Sequence, residues 1–178
     1  MADLRRTLLL SNESEIFLIH GSNGFRWDAL SAVQRSSKAR AEELFGGRFT
    51  EIKRFKDRLS ESLDTHLAII SFAHGLVDGD YPISPYEGYC EGERINSVEK
   101  AHGLSDAVHF ITEAPEMIIV CLPNDILSHL LDAGALPVHK CIFVASVSMH
   151  HRLHDSPLVL IRRGARLGRD NAEKIMRF

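Results

Sequence analysis

Five short apolar runs restrict the fold of this chain more than any other feature. They are Glu15–His20 (EIFLIH), His66–Phe72 (HLAIISF), Met117–Leu122 (MIIVCL), Cys141–Val147 (CIFVASV) and Leu158–Ile161 (LVLI). Each is apolar through its middle instead of alternating, which is the pattern of strands buried on both faces. Segments with helical spacing lie between most of them. Ile52, Phe55, Leu59 and Leu63 recur at steps of three and four, with Lys53, Lys56, Asp57 and Glu61 opposite, so 51–63 reads as an amphipathic helix. Trp27, Leu30, Val33, Ala41, Leu44 and Phe45 give 27–45 a broadly helical spacing, closed by Gly46-Gly47. Asn96 with Glu99 resembles a capping box opening a helix through Thr112. Asn124 caps a helix over Asp125–Ala133, and Asp170 or Asn171 starts a last one.

Strands alternating with helices predict an α/β fold: a three-layer, mainly parallel sheet of about five strands with helices on both faces. The link Ser148–Pro157 is too short for a crossover helix. The last two strands are therefore expected to pair antiparallel, or one of them to be an edge. At 178 residues the chain reads as a single domain, 1–178. No apolar run approaches the roughly 20 residues needed to span a bilayer. The first ten residues, with an acid and two arginines, are too polar for a secretory leader. A cytoplasmic chain without a membrane partner is the reading, and scattered Cys90, Cys121 and Cys141 fit it as buried free thiols.

The net charge of −3 argues against a general nucleic-acid coat. Its distribution is uneven. Residues 78–99 hold six acids and one base, while 149–178 hold seven bases and three acids. This asymmetry fits either a phosphate-binding face or two separate solvated faces.

In a doubly wound sheet, ligands bind beyond the strand carboxyl ends. Those ends nominate His20, Gly21, Ser22 and Asn23, then Ser71, His74 and Gly75, then Asn124 and Asp125, then Ser146, Ser148 and His150. Gly21-Ser22-Asn23-Gly24 lacks GxGxxG or GxxxxGK[ST] spacing, so no dinucleotide site and no cofactor is assigned. His74, directly after a buried strand, has general-base chemistry available, with Asp78 or Asp80 near in sequence to hold it. Tyr81, Tyr86 and Tyr89 fall within nine residues of the long loop 75–96, where they stack on a ligand ring or pin the loop. His150, His151, His154 and Asp155 are spaced like metal ligands. With no HExxH and no paired cysteines, no metal is assigned.

The segment Ser71-x-x-His74-Gly75-Leu76-Val77, followed by Ile83-x-Pro85-Tyr86, resembles the YaaA-like family of peroxide-stress proteins and smaller domains grouped near them. The resemblance covers about one tenth of the chain. It implies an α/β core, a cytoplasmic setting and an association with DNA or nucleotide damage. It carries over Ser71, His74, Gly75, Pro85 and Tyr86. Family members have a Ser-Pro-Ala-Lys type segment where this chain has His20-Gly21-Ser22-Asn23.

The leading expectation is a protein that binds a nucleotide, a nucleic acid or a phosphorylated small molecule. His20, Ser22, Asn23, Ser71, His74 and Gly75 would face the ligand. Pro85 and Tyr86 would close the pocket, and Arg162 and Arg166 would supply phosphate charge. The alternatives are a hydrolase or glycosyl-transferring enzyme using His74 with Asp78 or Asp80, and a non-catalytic stress or interaction module.

Overall fold

The computed structural model describes residues 5–19 and 24–178. Its first strand, β1 (Arg6–Asn12), lies at the centre of the main sheet. The chain then passes a single 3₁₀ turn at Trp27–Ala29, α1 (Ala32–Ser36), β2 (Ala39–Arg40), α2 (Ala41–Leu44) and α3 (Phe49–Leu59) before β3 (Asp64–Ser71). A tight turn leads into β4 (Gly75–Asp78) and β5 (Pro82–Ile83). Two helices, α4 (Arg94–His102) and α5 (Leu104–Thr112), precede β6 (Met117–Cys121). Then come α6 (Asn124–Asp132), β7 (Cys141–Ala145), β8 (Leu158–Ile161) and α7 (Arg169–Met176).

The main sheet has the order β4-β3-β1-β6-β7-β8. β3, β1, β6, β7 and β8 are mutually parallel, and β4 alone runs antiparallel against β3. The sheet is thus mainly parallel with helices on both faces, the expected three-layer architecture, with one strand more than expected.

Alternation along the strands divides the core in two. Leu9, Leu67, Ile69, Ile119, Ile142 and Val144 face the layer that contains Leu44, Phe45, Phe49, Ile52, Phe55 and Ile175. Leu8, Leu10, Ile70, Ile118, Val120 and Phe143 face the layer that contains Ile95, Val98, Leu104, Val108, Ile126 and Leu130. Each fully buried side chain of this size contributes about 1.5–3 kcal/mol. Both faces of β1, β6 and β7 are covered, which explains why β6 and β7 are almost wholly apolar and why β1 carries Leu8-Leu9-Leu10 at its middle.

Four differences from the sequence reading matter. The first strand is Arg6–Asn12, not Glu15–His20. Phe17 in the latter segment makes only isolated bridges with Phe25 and Phe45. The expected helix over 27–45 is broken into short pieces around β2. The helix expected from Asn96 to Thr112 starts at Arg94 and is interrupted at Gly103, whose φ of 59° gives α4 a left-handed C-cap. Finally, β7 and β8 pair parallel. The 3₁₀ segment Val147–Arg152 makes the crossover with buried Met149, and β8 is an edge.

The order of the parallel strands reverses direction at β1. The chain moves from β1 outward to β3, then returns over β1 to β6. The carboxyl ends of β1 and β6 therefore flank a topological switch point, where doubly wound sheets bind ligands.

Candidate functional site

β1 ends in Ser11 and Asn12 and is followed by Glu13, three buried polar residues with no exposed surface. Ser11 donates to the Cys121 carbonyl at 3.3 Å and so ties β1 to β6. Glu13 Oε1 accepts from the backbone N–H of Phe72 at 2.9 Å and of Cys90 at 2.7 Å. Its Oε2 shares a hydrogen bond with the Tyr86 hydroxyl. That hydroxyl also lies 2.7 Å from Ser71 Oγ at the end of β3. Asn12 Nδ2 donates to the Tyr89 hydroxyl at 3.1 Å. Two neighbouring strand ends thus hold one loop, 84–92, across the top of the sheet. The far end of the loop is fastened where Gly92 N–H donates to Asp125 of α6.

The electrostatics of Glu13 follow from this burial. Loss of water pushes its pKa from 4.5 up to about 8, against the opposing pull of the Phe72 and Cys90 N–H groups, Ser71 and Arg166. Burial thus favours the neutral carboxylic acid over the carboxylate. Arg166 supplies no carboxylate pair, because its guanidinium is spent on backbone. Nη1 donates to the Asn12 carbonyl and Nη2 to the Glu13 carbonyl, the latter at 2.9 Å. Desolvation lowers the Arg166 pKa from its ordinary value.

A cleft of about 460 Å³ opens beside the loop. Tyr86, Glu87, Gly88, Tyr89, Glu91 and Arg94 form one wall. Glu15, Phe17, Arg26, Trp27 and Asp28 form the other. Tyr86 packs edge-on against Phe17, Phe45 and His74, at centroid distances of 5.8, 6.4 and 5.4 Å. Gly88 has a φ of 114°, and a Cβ there would lie 2.3 Å from the Phe72 ring. Only glycine lets this wall pass so close to the strand end.

The nominated residues separate into groups. His20, Ser22 and Asn23 lie outside the described residues. Ser71 and Tyr86 meet as stated, and Pro85 is buried beside them. Gly75 opens β4 with a φ of 71°, where a Cβ would lie 2.5 Å from His102. His74 and Asp78 are not brought together. His74 sits in the β3–β4 turn, whereas Asp78 pairs with Ala68, three registers down the hairpin and about 10 Å away. Asp78 instead accepts from the Asp80 N–H at 2.8 Å, and Asp80 pairs with Arg40. Desolvation and then the neighbouring His102 lower the pKa of His74. Among the described residues the His74 ring makes no hydrogen bond or ion pair with Asp78 or Asp80. Arg162 donates to the Leu122 carbonyl at 2.9 Å and to Asn124 at 3.1 Å, so it too braces a strand end. Ser146 and Ser148 bond each other at 2.7 Å beside Asn124. Among the described residues no three His, Cys, Asp or Glu side chains converge as metal ligands do.

One Ser–His–Glu cluster lies elsewhere. Glu99 Oε2 accepts from Ser105 Oγ at 2.7 Å and contacts His129 Nε2 at 2.8 Å. Ser105 Oγ lies 3.4 Å from the same ring nitrogen. A hydrolytic triad needs the acid and the serine on opposite nitrogens of the imidazole. This cluster instead ties α4, α5 and α6 together.

The sequence reading missed Asn12, Glu13 and Trp27. The first two carry the same signal that marked Ser71: polar residues directly after an apolar run, here Leu8-Leu9-Leu10. Comparison with protein-family models, curated proteins and solved structures gives no match. Among the described residues no helix is long and apolar enough to cross a membrane.

Proposed function

We propose that the protein binds a small ring-bearing ligand of the nucleoside or nucleotide type in the cleft beside loop 84–92. One observation carries this reading. The cleft is walled by loop 84–92, which is fastened to the ends of β1 and β3, and among the described residues four of its lining residues are aromatic: Phe17, Trp27, Tyr86 and Tyr89. Aromatic walls offer stacking surface to a planar ligand, worth about 1–3 kcal/mol per base where such stacking has been measured. The volume of about 460 Å³ falls in the range of small-molecule sites. The residues behind the resemblance to YaaA-like proteins support the same place, since Ser71 and Tyr86 build the support of this wall.

Trp27 is the sole tryptophan of the chain, so its fluorescence reports on the cleft alone. A titration with ribonucleosides and ribonucleotides is expected to change that emission. Isothermal calorimetry on Trp27→Phe is expected to show weaker binding of the same compounds. Binding that leaves the emission unchanged and survives Trp27→Ala would place the ligand elsewhere and remove the proposal.

A further inference from the structure

We infer that the cleft takes its ligand without a phosphate, as a donor-rich nucleoside-type molecule that is uncharged or cationic; this rests on the cleft being the binding site. The lining residues carry four carboxylates, Glu15, Asp28, Glu87 and Glu91, against two guanidinium groups, Arg26 and Arg94. Arg26 is already paired with Glu15 at 3.0 Å. Arg94 lies over the Phe72 ring at 5.7 Å and donates to the Tyr89 carbonyl at 3.4 Å. The carboxylates of Asp28, Glu87 and Glu91 have no ion pair or hydrogen bond among the described residues. The cleft therefore presents three uncommitted anions and one cation.

Ionised carboxylates only accept hydrogen bonds, so the complement is a ligand rich in O–H and N–H donors, such as a ribose diol or an amino-bearing base. The cations that would neutralise a phosphate are engaged elsewhere, because Arg162 and Arg166 both donate to strand-end carbonyls. A phosphate dianion entering this field meets like charge at short range.

The test compares each of the four ribonucleosides with its 5′-monophosphate by Trp27 fluorescence and calorimetry, at low and high salt. The nucleoside is expected to bind at least about ten-fold more tightly at low salt, with the gap shrinking as salt screens the carboxylates. In the double variant Glu87→Gln/Glu91→Gln the gap is expected to narrow. A monophosphate that binds as well as or better than its nucleoside overturns this inference while leaving the cleft as the site. If neither form binds, the site itself is wrong and the inference falls with it.

Discussion

Glu13 and Tyr86, 73 residues apart in sequence, share a hydrogen bond under loop 84–92. The bond joins the end of the central strand to the wall of the cleft. Because the carboxyl is fully buried, it fixes that wall as a neutral acid.

This relationship has a pH signature. The pKa of Glu13 stands at about 8 in the folded state against 4.5 ordinarily. Between those values the folded protein keeps a proton that the unfolded chain has lost. Stability therefore falls as pH rises from about 4.5 to 8 and levels off above, with an upper limit on the order of 4–5 kcal/mol. Glu13→Gln keeps an acceptor for the Phe72 and Cys90 N–H groups and a donor for Tyr86. It is expected to match the wild type near pH 5 and to be more stable by a few kcal/mol at pH 8.5. Glu13→Ala leaves two buried N–H groups unpaired and is expected to lose about 2 kcal/mol or more at either pH. Urea unfolding at pH 5, 7 and 8.5 reads all three. A wild-type stability that does not fall across this range removes the neutral-acid description.

The layered fold was legible because β6, β7 and the second half of β3 are buried on both faces and so are written as apolar runs, and the half-buried edge β8 is apolar as well. β1 is equally buried, but its run is only three leucines ending in Ser11, Asn12 and Glu13. Nothing in a single sequence says that a glutamate is buried. Glu15–His20 looked the better strand, which moved the expected site to His20, Ser22 and Asn23 and hid Glu13. β4 escaped because Gly75-Leu76-Val77-Asp78 is too short to show a period, and its pairing with β3 depends on the turn before it. His74 and Asp78 are close in sequence, but an antiparallel hairpin separates residues on one arm by their full rise.

That turn allows a second prediction. Gly75 adopts a φ of 71° with a Cβ position 2.5 Å from His102, whereas Gly103 adopts 59° with nothing within 4 Å. Gly103→Ala meets only the left-handed backbone penalty, about 1–2 kcal/mol. Gly75→Ala adds a clash with α4 and is expected to lose at least about 1 kcal/mol more. The difference in urea midpoint measures the packing of the β3–β4 turn on α4. Equal losses would show that the turn yields freely.

The Glu99–Ser105–His129 cluster makes a third. Hydrogen bonds from Ser105 and His129 outweigh burial, and the Glu99 pKa lies below its ordinary value. An acid with a lowered folded pKa stabilises above the unfolded value and loses that contribution as pH falls, so the effect is confined to acid conditions. With the Glu99 and His129 side chains 31% and 20% exposed, screening holds it below about 1 kcal/mol. Glu99→Gln is expected to reduce the acid sensitivity of unfolding. Because serine and acid share one imidazole nitrogen, a fluorophosphonate probe is expected to leave Ser105 unlabelled, as mass spectrometry of the treated protein would show.

Arg166 separates a structural guanidinium from a ligand-binding one. It lies 5.9 Å over the Phe49 ring and holds the carbonyls of Asn12 and Glu13 with two separate nitrogens. Lysine keeps the charge but cannot reproduce a planar fork serving two acceptors. Arg166→Lys is expected to lose about 1–3 kcal/mol and to speed amide exchange in residues 84–92, because the strand end that anchors Tyr86 and Tyr89 loosens. Arg163 is exposed, and Arg163→Ala is expected to stay within about 0.5 kcal/mol of the wild type. If Arg166 instead served a phosphate, the lysine variant would keep both stability and loop protection. Hydrogen exchange on the two variants therefore decides whether this arginine builds the cleft or belongs to its ligand.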